Sequence, residues 1–341
     1  MQTFCWRDDE VQSTRVLIDE LERLHTSVES SEFQYEAGLA AQELPRRLRS
    51  ELRGFRLREP TPGVMLISGF PVDQERIGRT PGHWSERQES NRALREEILL
   101  ILVGMLCGEP VAWSTQQGGQ VVHDVLPIKG HEQEQLGSGS EQLLWWHTED
   151  AFHPYRGDHL LMMCIRNPDK VPTTYCSIDA VSLTPEQRHL LFEPLFPIRP
   201  DESHLPKNQP TGGEVVARQQ HDYEAIEKMR GAPERISVLF GSQQAPYWRL
   251  DPYFMDRVEA QPAAQKALDE LVSDVDRNLK EVALEPGDIC VIDNFRVVHG
   301  RRPFRARYDG FDRWLKRINV ACDLRKSRAA RTSAEDRVLG G

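Results

Sequence analysis

The chain has 341 residues with 43 Lys and Arg against 53 Asp and Glu, a formal charge of −10, and 39% hydrophobic against 28% charged residues. A surplus of carboxylates argues against a polyanionic partner such as nucleic acid, which needs clustered cations to neutralise phosphates. No apolar run approaches the roughly 18 residues of a membrane helix, and a small molecule is the expected partner. The length suits one embellished domain over residues 1–323 with a polar tail at 324–341, since large β barrels run past about 200 residues as one unit.

The N-terminus, Met1 to Glu10, lacks the basic start and apolar middle of a secretory signal, so a cytoplasmic location is expected. Cys5, Cys107, Cys164, Cys176, Cys290 and Cys322 are widely spaced without a Cys-x-x-Cys pair and read as reduced residues rather than a disulfide framework. Residues 9–54 alternate charged and apolar residues at helical spacing and predict amphipathic helices packed outside a sheet. Val64 to Pro71, after Pro60-Thr61-Pro62-Gly63, reads as a buried strand. The polar stretch from Arg76 to Asn91 reads as loop, and Leu94 to Cys107 as a largely buried helix stopped by Gly108.

Val111 to Pro127 predicts strand, turn and strand, with the turn at Gln116-Gln117-Gly118-Gly119. The polar, Gly-rich segment from Lys129 to Glu141 reads as a flexible approach to the Trp-rich stretch after it. Strands are expected at His159 to Ile165 and Thr173 to Ile178, and Thr184-Pro185-Glu186-Gln187 is a helix start. Residues 198–222 are rich in proline, glycine and polar residues and are expected to form a long lid-like loop. Strands at Ile236 to Phe240 and Tyr247 to Leu250, a helix from Ala263 to Val282, and a buried strand at Ile289 to Ile292 complete the series. The tail after Leu324 is expected to fray. Periodicity thus points to a strand-rich core with outer helices.

Two stretches carry the chemistry. In Trp145-Trp146-His147-Thr148-Glu149-Asp150 the imidazole and carboxylate are two residues apart, so on a strand both leave one face. Far downstream, Asp293-Asn294-Phe295-Arg296-Val297-Val298-His299-Gly300-Arg301 supplies a second histidine. Arg313 follows His299 by fourteen residues and Arg317 lies four beyond that. Two histidines and one carboxylate on one face of a metal leave positions open for a co-substrate and dioxygen, as in non-haem Fe(II) oxygenases. Neither His153 nor His159 fits this pattern, and both read as core or supporting histidines.

Together these stretches resemble the iron- and 2-oxoglutarate-dependent dioxygenases, and His147-Thr148-Glu149-Asp150-Ala151-Phe152-His153-Pro154 resembles their clavaminate synthase-like branch, especially the arginine β-hydroxylases. The resemblance covers roughly residues 60 to 322. It implies a mainly β fold with flanking helices, the double-stranded β-helix of jelly-roll or cupin type. It also implies Fe(II) held by His147, Glu149 and His299, with 2-oxoglutarate and O2 as co-substrates. Arg313 would take the distal carboxylate of 2-oxoglutarate, since a guanidinium presents paired donors to a carboxylate. A hydroxyl partner falls on Thr174, with Thr173 one residue away.

By the same resemblance Arg317 binds the carboxylate of a free amino acid, Gln117 or its neighbour Gln116 the amine, and Leu136-Gly137-Ser138 the substrate backbone. For the side chain two alternatives stay open. Asp251 facing the pocket suits arginine or a cyclic guanidino relative, whereas Gln243 and Gln244 facing it suit citrulline, because an amide both donates and accepts. The expected activity is hydroxylation of an arginine-like L-amino acid at C3 or C4 in specialised-metabolite (antibiotic) biosynthesis. The intact Glu149 argues against a halogenase of this family. Other readings are hydroxylation of another amino acid, free or carrier-bound, a cupin-like metal hydrolase or isomerase with no need of Arg313, and a non-catalytic binding protein. The oligomeric state is left open.

Overall fold

The computed structural model describes residues 1–88, 91–208 and 217–340. Strand β1 (Gln2–Cys5) lies parallel to β2 (Val64–Ser68), and the chain between them forms helices α1 (Asp8–Leu24), α2 (Ser31–Ala40) and α3 (Arg46–Arg58). Amphipathic spacing explains the first and third: α1 buries Val11, Leu17, Ile18 and Leu21, and α3 buries Leu48, Leu52 and Phe55. Ser30 caps α2 by accepting from the Phe33 amide at 3.1 Å. After the short α4 (Gln74–Ile77), helix α5 (Leu94–Met105) is buried along nearly its whole length between these helices and the sheet.

The barrel strands come next: β3 (Glu109–Trp113), β4 (His123–Val125), β5 (Leu144–His147), β6 (His159–Arg166) and β7 (Thr173–Ser177). Helix α6 (Pro185–Phe192) starts at a Thr184/Gln187 capping box with proline in its first turn, as its sequence predicts. Beyond it lie β8 (Phe196–Ile198), α7 (Ala217–Gly231), β9 (Glu234–Ile236), β10 (Leu239–Gly241), β11 (Pro246–Trp248) and α8 (Pro262–Asn278). The last elements are β12 (Lys280–Val282), β13 (Ile289–Asp293), β14 (Val297–Arg301), β15 (Trp314–Ala321) and β16 (Val338–Leu339).

Two sheets face each other. The larger has the order β1-β2-β13-β6-β15-β3-β16, with β4 also paired to β15, and the smaller has the order β12-β7-β14-β5. Alternation along the strands decides which residues meet. Leu160, Met162 and Cys164 of β6, Cys290 and Ile292 of β13 and Leu315 of β15 point between the sheets against Tyr175 and Val297. Their neighbours Leu161, Met163, Ile165, Ile289, Val291 and Ile318 pack on the helices. Burial on both faces makes β6 and β13 read as continuous apolar runs. Beneath the smaller sheet a second core of Trp146, Cys176 and Val298 packs against α6, α8 and β8 to β11. No helix among the described residues is long and apolar enough to cross a membrane.

Several expectations require correction. The helix expected to Val282 ends at Asn278, and Lys280–Val282 instead pairs antiparallel with β7 as the edge of the smaller sheet. Of the loop expected over 198–222, Ile198 ends β8, tight turns occupy Glu202–His204 and Pro206–Asn208, and residues 217–222 open α7. Residues 209–216 lie outside the described residues.

The tail does not fray. Helical turns at Leu324–Ala330 lead to β16, which pairs parallel with β3 (Val338 with Ala112, Leu339 with Trp113). Few apolar residues dock there: Leu324, Ala330 and Leu339 pack with Val111 and Trp113. The organiser is Arg331, buried and donating to the carbonyls of Leu324, Ser333, Ala334 and Asp336 and to Ser327 Oγ. A tail held through backbone carbonyls carries no hydrophobic signature in its sequence. Arg331→Ala is expected to lower the unfolding free energy by about 2 kcal/mol through the carbonyls it orphans, read by denaturant titration. An unchanged midpoint would show that the tail docks without it.

Candidate active site

Strand β14 pairs antiparallel with β5 so that His299 lies directly across from His147, and residues directly opposed across such a ladder share one face. Their rings stand 4.7 Å apart between centroids. Glu149, two residues beyond His147, brings Oε2 to 3.4 Å from His299 Nε2 and 3.7 Å from His147 Nε2. One donor atom from each of the three lies within 4.8 Å of the others, a spacing that could hold one metal ion. His147 Nδ1 sits 2.9 Å from the Trp145 carbonyl. That contact keeps Nδ1 protonated and turns Nε2 toward the triad, where a metal ion would displace any proton it carries.

Backbone clamps aim Glu149. Asn294 Oδ1 accepts from the Glu149 amide at 2.8 Å, while its Nδ2 donates to the Glu149 carbonyl at 3.1 Å and the Gly157 carbonyl at 2.8 Å. Asp150 adopts a left-handed conformation (φ 49°), which aspartate tolerates better than most residues. Trp113 Nε1 (2.7 Å) and Asn319 Nδ2 (3.0 Å) hold its carboxylate. Burial would raise the Glu149 carboxyl, but Arg317 and then the two imidazoles hold it well below the usual carboxylate range. Burial pulls His147 down, and the Glu149 and Asp251 carboxylates outweigh it to carry the imidazole up to about 9.

A cavity opens beside the triad, lined by Arg301, Arg313 and Arg317 and by the carboxylates of Glu149, Asp150, Asp201 and Asp251. Arg313, Leu315 and Arg317 share the inward parity of β15 and its approach, and Arg313 is only 5% exposed. Its Nε has no hydrogen-bond partner and no carboxylate pairs with it among the described residues, and burial pulls its pKa down to about 10. Arg317 pairs with Glu149 Oε1 and donates from Nη2 to His123 Nδ1 at 2.7 Å.

Thr173 lines the cavity that Arg313 also lines, and Thr174 does not. Thr173 shares the parity of the inward-facing Tyr175, whereas Thr174 turns outward toward Gly300. The one-residue alternative is therefore the one the strand parity selects.

Asp251, also on the cavity lining, is buried and accepts from the Tyr253 amide at 3.2 Å, with no Lys or Arg paired to it among the described residues. Burial pushes its carboxyl up to about 7, opposed by His147 and helped by Asp201. Asp201 lines the same wall. The glutamines do not reach it. Gln243 and Gln244 are exposed in the β10–β11 hairpin turn, where Arg188 donates to the Gln243 carbonyl at 2.8 Å. The hairpin closes at Gly241 and Pro246 and carries the amides away from the barrel mouth.

Gln117 borders an adjoining pocket with Leu136, Ser138, His123 and Arg317. Its amide is engaged by the Asp124 backbone, donating to the carbonyl at 2.8 Å and accepting from the amide at 2.9 Å. Gln116 is buried and donates to Ser203 Oγ at 2.6 Å. Leu136 is buried in the cavity wall, and Ser138 Oγ lies 2.9 Å from His131 Nδ1. His153 and His159 stand outside the cavity, where burial lowers their pKa to about 3 and about 4.

The family described as taurine catabolism dioxygenase TauD, TfdA family matches residues 61–319, a span that contains all of these groups. The chain belongs to this family. It is 44% identical over 99% of its length to the whole of the enduracididine beta-hydroxylase of Streptomyces hygroscopicus. It is 47% identical to the L-ornithine/L-arginine 3-hydroxylase of Catenulispora acidiphila, over 88% of each chain. The crystal structure of the non-heme iron oxygenase OrfP with Fe, succinate and (3S)-hydroxy-L-Arg superposes with a TM-score of 0.94, at 44% identity and with both chains fully covered. The fold is accordingly the double-stranded β-helix expected of the family, and the chain is an Fe(II)/2-oxoglutarate-dependent dioxygenase that uses O2.

Two residues of this dioxygenase escape sequence reasoning. Asn294 stands inside the second motif, yet its role needs Glu149 brought to it by the fold. Arg301, two beyond His299, is buried on the cavity wall and donates to the carbonyls of Gly139 (2.5 Å), Gly137 and Gln142. It thereby makes the 129–141 approach an anchored wall rather than a flexible one. Replacing Asn294 with alanine orphans three buried backbone groups and is expected to cost about 2 to 4 kcal/mol, measured by denaturant unfolding of the metal-free protein. A loss below about 0.5 kcal/mol, the scale of an ordinary surface change, would contradict the clamp.

Proposed function

We propose that this dioxygenase hydroxylates a free, arginine-like L-amino acid at C3, arginine itself or a cyclic guanidino relative, within antibiotic-type specialised metabolism. The observation that carries the reading is the charge content of the cavity. Guanidiniums (Arg313, Arg317) and carboxylates (Asp251, Asp201) line it together with the two histidines and Glu149, and among the described residues Arg313 pairs with no carboxylate and Asp251 with no Lys or Arg. A zwitterion with a cationic side chain complements that lining. The names of the similar hydroxylases support the same substrate class.

His147, Glu149 and His299 would hold Fe(II), for which neutral imidazole and carboxylate are suitable ligands. The bound metal with 2-oxoglutarate and O2 supplies the oxidising chemistry at an unactivated C–H bond. Arg313 binds the distal carboxylate of 2-oxoglutarate by paired N–H donors, with the Thr173 hydroxyl beside it. Arg317 turns from Glu149 and His123 to the α-carboxylate of the amino acid. Leu136 and the adjoining backbone up to Ser138 wall the substrate's main chain, and Asp251 fixes the far end of its side chain. The residues orient the substrate and exclude water, and orientation is their share of the catalysis.

Coupled succinate formation after anaerobic loading with Fe(II) and 2-oxoglutarate tests the reading across arginine, citrulline, lysine and asparagine. Arginine should be preferred over neutral citrulline by about 10-fold or more, since one unpaired buried charge costs upwards of 1.5 kcal/mol. A preference for asparagine or another short side chain would overturn the assignment.

Arg313→Ala should raise the KM for 2-oxoglutarate and Arg317→Ala the KM for the amino acid, each by about 2 to 5 kcal/mol in binding terms. If both variants move the same constant, the division of roles is wrong.

Asp251 links affinity to stability. Its folded pKa of about 7 exceeds the ordinary carboxyl value of 3.8, so the folded state binds the proton more tightly. The ligand-free protein therefore loses stability as pH rises from about 4 to about 7. Asp251→Asn should stabilise the ligand-free protein at pH 8 by about 2 to 4 kcal/mol while weakening arginine. Destabilisation at pH 8 together with unchanged arginine affinity would remove Asp251 from the substrate pocket.

A further inference from the structure

We propose that His204 is a positioning residue that makes the pocket selective for a cationic side chain, by holding Asp201 at the side-chain end of the cavity. The inference rests on the reading of this cavity as an amino-acid site. His204 is fully buried and lies three residues after Asp201. Its Nδ1 is 2.7 Å from Thr115 Oγ1, and its Nε2 is 3.2 Å from Asp150 Oδ1 and 3.8 Å from Asp201 Oδ2. With the threonine hydroxyl donating to Nδ1, the remaining ring proton sits on Nε2 and faces both carboxylates.

The surroundings leave the ring one orientation. Phe152 and Trp113 meet it edge-on at 4.8 and 5.6 Å between centroids. Asp150 Oδ2 is engaged by Trp113 and Asn319, which turns Oδ1 toward His204. Asp201 in turn caps the Glu202–His204 turn by accepting from the Ser203 amide at 2.8 Å, and Gln116 holds Ser203 Oγ at 2.6 Å.

The chain that carries Asp201 to the cavity wall is therefore tied to the residue next to Glu149 through the His204 imidazole and through Gln116 Nε2, which donates to Ser203 Oγ at 2.6 Å and to Asp150 Oδ1 at 3.4 Å. An apolar side chain would fill the same aromatic niche without the desolvation cost of a ring nitrogen. What the imidazole adds is an N–H facing Asp150 Oδ1 and Asp201 Oδ2 together, a position the Gln116 and Ser203 donors do not occupy. Without it Asp201 Oδ2 faces the buried Asp150 carboxylate with no proton between them, and their repulsion turns it away from the cavity.

The test uses the full chain with His204→Leu, His204→Gln and Thr115→Val. Steady-state kcat and KM are measured with arginine and with citrulline, and arginine binding to the metal-free protein is measured by calorimetry. His204→Leu should weaken arginine about tenfold, the scale of one lost hydrogen bond to a charged group, in KM and in the calorimetric Kd. Citrulline, kcat and the KM for 2-oxoglutarate should stay near wild type. His204→Gln returns an N–H donor toward Asp150 and should recover most of the preference, and Thr115→Val should lose part of it.

Equal losses for arginine and citrulline would reduce His204 to a packing residue and overturn the proposal, as would an unchanged preference in His204→Leu. If His204→Leu does not fold, Thr115→Val decides by the same comparison. A wild-type enzyme indifferent to arginine would instead sink the amino-acid reading itself, whereas a wild-type preference that survives in the variants sinks only the role of His204.

Discussion

The register of β5 against β14 is the constraint on which the site depends. With His299 facing His147, two imidazoles meet over Glu149; a slip of one residue would offer Val298 or Gly300 instead and turn His299 toward the outer core. Gly300 pins that register by size. A Cβ there would lie 2.5 Å from the Leu144 carbonyl and 3.0 Å from Thr174 Oγ1, so the close approach of the strands is open to glycine alone. The ladder shifts between His299 and Arg301, a local irregularity of the kind that re-aims side chains beside functional sites. Asn294 adds the other half of the constraint by gripping the Glu149 backbone on both its donor and its acceptor.

Around this centre the cavity carries charge that the fold alone does not neutralise. Among the described residues no carboxylate pairs with the buried Arg313 and no Lys or Arg with the buried Asp251. Neither helps to stabilise a barrel, because burial of an uncompensated charge opposes folding. Both become favourable when a ligand of opposite sign arrives in a water-poor site, where electrostatic contacts are stronger than in bulk water. Arg301 marks the contrast: equally buried on the same wall, it is satisfied by backbone carbonyls and braces the segment from Gly137 to Gln142. Lys316, of opposite parity to Arg317 on β15, is fully buried yet sits between Glu97 at 2.8 Å and Asp124 at 2.5 Å.

Four consecutive residues at the end of β3 join the barrel to the segments that wall the cavity. Trp113 donates to Asp150, Ser114 to Asp222 of α7, Gln116 to Ser203, and Thr115 bonds His204. The chain's last strand pairs with β3 at Ala112 and Trp113, and the Ser114 amide donates to the Leu339 carbonyl at 2.9 Å. The C-terminal segment is thus part of the support for the cavity wall, at a distance in sequence that gives no hint of it.

By itself the sequence determined what short-range periodicity and spacing can carry. The buried strands at Val64 and Ile289, the amphipathic helices before residue 58 and the capped start of α6 arise from local pattern and cap chemistry. The two-residue spacing of His147 and Glu149, and the even spacing of Arg313 and Arg317, each assign a pair to one face of an extended chain. Which face was decided only in the tertiary structure. Parity put Thr173 rather than Thr174 in the cavity, because the inward side of β7 is defined by the sheet across from it. A tight hairpin carried Gln243 and Gln244 into solvent and left Asp251 at the pocket, a choice made by where the turn closes and not by side-chain chemistry. Arg331, Asn294 and His204 act through partners dozens to hundreds of residues away or through backbone carbonyls, and neither kind of contact leaves a periodic trace, since any residue offers the same carbonyl and only folding brings the distant donor to it.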